Sequence, residues 1–253
     1  MSKVSDYKQQ NRSAMKTLDN REKLYRLFNN KPIPDDQLMV NLGLYIRSGA
    51  LAKILFANEL YKKIVPIPGV VMEFGVWWGQ NLVLFENLRA VYEPYNFSRK
   101  VIGFDTFKGY EGISEKDIES ETIKGGGYTV SENYKEYLNE LLQYHEDENV
   151  MSHIKKFELV EGNAKTTITD YLNNHPETIV SLAYFDMAVY EPTKACLEAI
   201  EPHLIKGSII AMDEINCPDY PGETIALKEV WGLKKYRIKK SKYLPDRAYI
   251  VIE

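Results

Sequence analysis

Apolar residues along this chain follow two alternating patterns. Short continuous runs, such as Val70-Val71-Met72 and Ile209-Ile210-Ala211-Met212, are separated by longer stretches with helical spacing. Short runs bounded by turn residues predict buried strands, and the spaced stretches predict helices lying over them. Strands are expected at 70–74, 100–104, 157–161, 179–185 and 208–212, with helices at 81–92, 131–144, 166–173, 193–200 and 224–231. This alternation predicts an α/β fold, a doubly wound, mostly parallel, Rossmann-like sheet with helices on both faces. Two final runs, 236–239 and 249–252, predict an antiparallel C-terminal edge.

Upstream, Leu42, Ile46, Leu51, Ile54, Leu55 and Leu60 keep helical spacing through 38–64, until Pro66 and Pro68-Gly69 stop it. Residues 1–37 are polar, with weak periodicity around Leu24, Leu27 and Phe28. The expected division is a helical N-terminal extension over 1–64, acting as a lid or subunit contact, and a ligand-binding domain over 65–253. The segment 109–128 lacks periodicity and holds Gly125-Gly126-Gly127, which predicts a mobile loop over the site.

The first candidate site lies at the turn after the first strand. Glu73 ends an apolar run, and the chain then passes Gly75, Val76, Gly79, Gln80 and Asn81 into a helix; the next strand closes on Asp105-Thr106. Strand, glycine turn, helix and a second strand ending in an acid form a nucleoside-binding unit, in which Gly75 is expected to let the backbone approach a ligand. Asp105 is expected to accept both ribose hydroxyls. Glu73 beside the turn suits a cationic ligand better than a pyrophosphate, and that favours S-adenosylmethionine over a nicotinamide dinucleotide. Gly162 and Asn163, after the third strand, are expected either near an adenine or as a helix cap.

The second candidate site gathers acids at two later strand ends. Asp186 follows the fourth strand, and Asp213-Glu214 follow the fifth. Adjacent parallel strands would bring these carboxylates together, where they repel unless a cation compensates or salt bridges and caps take them up. An all-oxygen set favours Mg²⁺, which would hold and acidify a substrate oxygen.

Composition narrows the classes. The chain has 253 residues, 44% of them apolar, enough for a full core. A net charge of −4 gives no reason to expect nucleic acid. Two cysteines, no signal-like N-terminus and no apolar stretch of bilayer length point to the cytoplasm, with no membrane partner. Eighteen tyrosines suit either a polar pocket or subunit contacts.

Four motifs make a resemblance specific: Glu73-Phe-Gly-Val-Trp-Trp-Gly-Gln-Asn81, Gly103-Phe-Asp-Thr-Phe-Lys-Gly109, Phe185-Asp-Met-Ala-Val-Tyr-Glu-Pro-Thr-Lys194 and Met212-Asp-Glu-Ile-Asn216. From about Leu44 to the C-terminus the chain resembles the macrocin O-methyltransferase family. The resemblance implies a class I methyltransferase fold, S-adenosylmethionine and Mg²⁺ as cofactors, and a sugar or glycoside as the methyl acceptor. It implies Asp186, Asp213 and Glu214 as metal ligands and Glu73, Gly75 and Asp105 as cofactor residues. A homo-oligomer is expected from the N-terminal arm.

The chain departs from the family pattern at one place. Where the family carries a second acid two residues after the strand-four aspartate, proposed as its general base, this chain has Ala188. The readings left open are another base (Glu191, Glu223 or His203), an acceptor oxygen already anionic, such as a phosphate-like or carboxylate oxygen, or an inactivated, cofactor-binding protein. An oxygenase-like enzyme on the same scaffold is a further class. The basic run from Lys234 to Lys242 suits a solvated strand edge better than a phosphate site.

Overall fold

A computed structural model describes residues 15–118 and 123–253. Helices α1 (Met15–Asn29), α2 (Asp35–Leu38) and α3 (Ser48–Ile64) precede the sheet. Strand β1 (Val70–Phe74) then leads to α4 (Gln80–Tyr92), β2 (Val101–Asp105), α5 (Tyr134–Asp147), β3 (Phe157–Glu161) and α6 (Ala164–Asn174). Next come β4 (Val180–Phe185), α7 (Tyr190–Ile200), β5 (Leu204–Met212), α8 (Gly222–Val230), β6 (Ile238–Lys240) and β7 (Ala248–Val251). The strand order is β3-β2-β1-β4-β5-β7-β6, with β1 to β5 parallel and β7 antiparallel to both neighbours. The expected doubly wound sheet and antiparallel edge are both present. Strand order reverses between β1 and β4, and the crevice above such a switch point is where doubly wound sheets bind ligands.

Alternating side chains build two cores. Met72, Phe74, Ile102, Phe104, Phe185 and Ile210 pack with residues of α6, α7 and α8. Val71, Val101, Leu182, Tyr184 and Ile209 pack on the other face, with residues of α3, α4 and α5. Phe56, Leu60, Tyr61 and Ile64 of α3 are fully buried in that second core. Helix α3 is therefore a layer of the sheet rather than part of a separable arm.

The single helix expected over 38–64 is broken. Residues 39–45 form a 3₁₀ turn, Ile46 and Arg47 are extended, and α3 starts at Ser48. The two helical pieces meet at 87°. Periodicity alone could not detect this, because Met39, Val40, Leu42, Leu44 and Ile46 repeat like a buried face yet remain exposed. Among the described residues no single helix is long and apolar enough to cross a membrane, although this bent pair passes by composition.

The described part of the 109–128 loop is anchored. Tyr110 N–H donates to Gly127 O, and Gly126 N–H to Tyr110 O. Asp117 accepts from Ser114 N–H and from Tyr190 N–H at 2.8 Å, tying the loop to the start of α7. Residues 119–122 of the expected mobile loop, and residues 1–14 of the expected arm, lie outside the described residues.

Candidate active site

A cavity of about 450 Å³ opens over the carboxyl ends of β1, β2, β4 and β5. Gly75, Asp105, Thr106, Gly162, Asn163, Asp186, Asp213 and Glu214 all line it. The two constellations expected from the sequence therefore share one cleft. Trp77, Tyr110, Tyr128 and Tyr220 add an aromatic wall. Tyr128 sits 5.4 Å from Trp77 and 5.3 Å from Tyr110, ring to ring.

The turn after β1 is fixed by the protein itself. Gly75 has φ +89°, and a Cβ there would stand 2.2 Å from the Asp186 carbonyl oxygen. Gly79 has φ +77°, and a Cβ would meet Leu138 of α5 at 2.4 Å. Both glycines are required by chain-to-chain packing, and Gly75 also lines the cavity. Asp105 departs from its expected role. Its Oδ2 accepts N–H from Val76 (2.7 Å) and Trp77 (2.8 Å), and its Oδ1 accepts from Phe107 (2.6 Å). A carboxylate offers roughly four acceptor positions, so three are already filled and Asp105 cannot take both ribose hydroxyls with free lone pairs. It holds the turn. Burial raises its carboxyl pKa in spite of these donors.

Glu73 is fully buried beneath this turn and is not one of the cavity-lining side chains. Its Oε1 accepts from Asn81 Nδ2 at 2.8 Å, while Oε2 has no protein partner. Burial pushes its carboxyl well above the usual range, opposed by Asn81 and reinforced by the nearby Asp186. Thr106 Oγ1 donates to Gly109 O at 2.7 Å, which turns the chain into the 109–128 loop. Asn163 lines the cavity and also caps α6, accepting from Lys165 N–H at 3.0 Å. The cap expected for Asn163 is present.

The acids beyond β4 and β5 are organised by residues that sequence reasoning missed. Arg247, next to β7, places Nε 2.5 Å from Asp213 Oδ1 and donates Nη2 to Oδ2 at 2.5 Å. Tyr184 donates its hydroxyl to the same Oδ1 at 2.8 Å. Both Asp213 oxygens are thus engaged, and among the described residues no group of three or more His, Cys, Asp or Glu side chains stands ready to hold a metal ion. The expected three-carboxylate cage is not assembled. The donor chemistry nevertheless fits a hard cation. Glu214 Oε2 is buried without a partner. Burial and then the Asp213 charge push Asp186 to about 7. Glu214 is raised well above the usual carboxylate range by burial, then by Glu223 and Asp213.

The three expected bases fare differently. Glu223 is buried, and its Oε1 accepts Met187 and Ala188 N–H while Oε2 accepts Glu214 N–H, each at 3.2 Å. It straps the β4 and β5 loops together and does not line the cavity. Burial pushes its carboxyl to about 8. Glu191 lies at the surface, paired with Lys165 at 2.6 Å. His203 sits before β5, at the opposite edge of the sheet, with Nδ1 2.8 Å from Thr178 O. Neither Glu191 nor His203 reaches the cavity. Ala188 is itself buried in a core, with φ +61°. The basic run contributes β6 and a Lys235–Glu201 pair, and none of its residues lines the cavity. Arg247 left no sequence signal, because only the antiparallel return of β7 brings it beside β5.

Comparisons with known proteins follow this geometry. Two solved structures of CalS11 match at 39% identity. One, a calicheamicin methyltransferase, covers 98% of this chain and 99% of its own with a TM-score of 0.92. The apo form, described as a TDP-rhamnose 3'-O-methyltransferase of calicheamicin biosynthesis, covers 95% and 96% with a TM-score of 0.85. The O-methyltransferase NovP shares the fold at 16% identity, covering 79% of each chain with a TM-score of 0.59. No curated protein matches. The macrocin-O-methyltransferase (TylF) family model matches residues 58–228, which run from α3 through the turn at Gly75 and both acid clusters into α8. The chain belongs to the macrocin O-methyltransferase family and is an S-adenosylmethionine-dependent O-methyltransferase.

Proposed function

We propose that this enzyme methylates a hydroxyl of a sugar or sugar conjugate in natural-product or surface-glycan biosynthesis, with help from Mg²⁺. The observation that carries this reading is the single cavity that unites the β1 turn with the acids after β4 and β5. The sugar substrate named for CalS11 supports the acceptor class.

S-adenosylmethionine, when bound, would supply an electrophilic methyl group on a sulfonium, so positioning dominates the catalytic task. Trp77 Nε1, unpartnered in the cavity wall, can donate to the carboxylate of an amino-acid-bearing ligand, and Glu73 Oε2, unpartnered beneath the turn, favours positive charge above it. Val76, Gly79, Asn81 and Gly162 shape this end together with Gly75, Asp105, Thr106 and Asn163. Asp186, Asp213 and Glu214 would hold Mg²⁺, Asp213 by giving up its hydrogen bonds to Arg247 and Tyr184, and the ion would supply positive charge beside the acceptor oxygen. Trp77, Tyr110, Tyr128 and Tyr220 supply an aromatic wall against which the acceptor can pack. The acceptor O–H bond breaks as the new O–CH₃ bond forms, and the proton is released to water at the cavity opening, because the usual base position is Ala188 and lies in a core. Glu223 keeps the two acidic loops in register by its three backbone hydrogen bonds.

The reading extends to setting. Large apolar side chains left exposed over 39–55 favour a homo-oligomer, measurable by sedimentation. The cytoplasm is the expected compartment. Calorimetry with S-adenosylhomocysteine should give one saturable site, and a panel of sugars should gain the mass of one methylene in Mg²⁺ and lose that activity in chelator. Absent cofactor binding would remove the methyl-transfer reading. Full turnover in chelator would remove the metal.

A further inference from the structure

Asp213 reaches the cavity already holding a cation. The register that pairs Met212 of β5 with Ala248 of β7 brings the next residues, Asp213 and Arg247, opposite each other. Such cross-strand neighbours present their side chains on the same face. Arg247 Nη2 donates to Asp213 Oδ2 at 2.5 Å, and its Nη1 donates to Asp246 Oδ1 at 2.6 Å. One guanidinium thus bridges two carboxylates, and all three residues line the cavity. The backbone on both sides is pinned. Asp246 O accepts from Ile215 N–H at 2.9 Å, and Arg247 O accepts from Ser241 N–H at 2.8 Å. An exchange of partners here needs only rotation of the Arg247 side chain.

The two grips differ in setting. The Asp213 side chain is 7% exposed, whereas that of Asp246 is 35% exposed. Arg247 Nε lies 2.5 Å from Asp213 Oδ1 but is not aligned for a hydrogen bond, so a buried donor is left without one. Glu214 Oε2, on the same floor, is a buried acceptor left without a partner. Burying charge is repaid only when the remaining donors and acceptors are also satisfied, and here they are not. A better cation can therefore displace this one. Asp186, Asp213 and Glu214 repel one another unless positive charge lies among them, and the Arg247 guanidinium supplies a single unit of it. A divalent ion brings two and needs bare oxygen ligands. The oxygens it needs on Asp213 are those that Arg247 covers, and the two cations repel. Asp246 stands apart from the three floor acids and already binds Nη1, so it can keep a counter-charge on Arg247 after Asp213 is released.

We propose that Arg247 is a positioning residue that holds Asp213 as a built-in cation and yields it to Mg²⁺ by passing wholly to Asp246. Metal affinity is then set by this exchange, and Asp213 stays aimed at the cleft with or without the ion. The inference rests on the Mg²⁺ reading above. The test is titration of the full chain with Mn²⁺, which shares the oxygen-ligand preference of Mg²⁺. Binding is read as loss of the free-ion spin-resonance signal, with Mg²⁺ as competitor. Arg247→Met should bind Mn²⁺ at least about 10-fold more tightly than the parent. Arg247→Lys, whose ammonium cannot fork onto two carboxylates, should tighten binding by an intermediate factor. Asp246→Asn should bind at least about 3-fold more weakly, because the displaced guanidinium loses its counter-charge. An Arg247 that merely supports the fold would shift its own variants toward weaker binding. S-adenosylhomocysteine binding reports folding of each variant, and if Arg247→Met fails that check, Arg247→Lys and Asp246→Asn decide. If the parent binds Mn²⁺ and the Arg247 variants bind it alike or more weakly, or Asp246→Asn binds it alike, the exchange is wrong while the metal reading stands. If neither the parent nor any Arg247 variant binds Mn²⁺, the metal reading falls and this one with it.

Discussion

The two edges of the sheet treat buried charge in opposite ways. At the amino edge, Arg99 is 1% exposed and fully engaged. It donates to Glu93 Oε2 at 2.9 Å, Ser181 Oγ at 2.6 Å, Ile64 O at 2.9 Å, Ile67 O at 2.7 Å and Gly69 O. Burial pushes the Glu93 carboxyl up, yet hydrogen bonds from Arg99 and Asn96 hold it below the usual range. At the carboxyl edge, Glu73, Asp186, Glu214 and Glu223 are all raised by burial, and two of their oxygens lack protein partners. One edge fixes the fold. The other holds unspent electrostatic capacity for ligands that bring positive charge, as functional sites commonly do.

The largest effect should come from breaking the satisfied edge. Arg99→Met strands Glu93 and several carbonyls inside the protein, and we expect a loss of roughly 3–5 kcal/mol in urea unfolding. A loss below about 1 kcal/mol would mean that Arg99 behaves like a surface pair. Asp186→Asn tests the other edge. It removes one of several mutually repelling carboxylates, so apo stability should hold or rise while methyl transfer falls roughly 100-fold. A variant that loses both stability and activity would erase the contrast between the edges.

The smallest effect is a pH dependence. Asp186 and Glu223 are raised to about 7 and about 8 in the folded chain. A raised carboxyl favours folding most fully below its unfolded value, and that contribution is lost as pH climbs through the folded value. The apo melting temperature in chelator should therefore fall by roughly several degrees between pH 5 and pH 8. Added Mg²⁺ should restore more of it at pH 8, where protons compete less for the carboxylates. A flat profile would show that the carboxyl-edge acids are already compensated.

The sequence by itself determined the alternation of strands and helices, the glycine turn at Gly75 and the acids at the strand ends, because these are local signals. Apolar runs, turn residues and strand-terminal carboxylates report the period and the ends of elements directly. Even the antiparallel edge was legible in the last two short runs. Only the tertiary structure decided what each acid does. Asp105 is spent on backbone N–H groups, Asp213 on Arg247 and Tyr184, and Glu223 on three loop amides, while Glu191 and His203 never reach the cleft. It also decided that α3 joins the sheet and brings Arg47 and Lys53 to the same opening. A side chain's role follows from burial and from partners distant in sequence, and no local spacing encodes those.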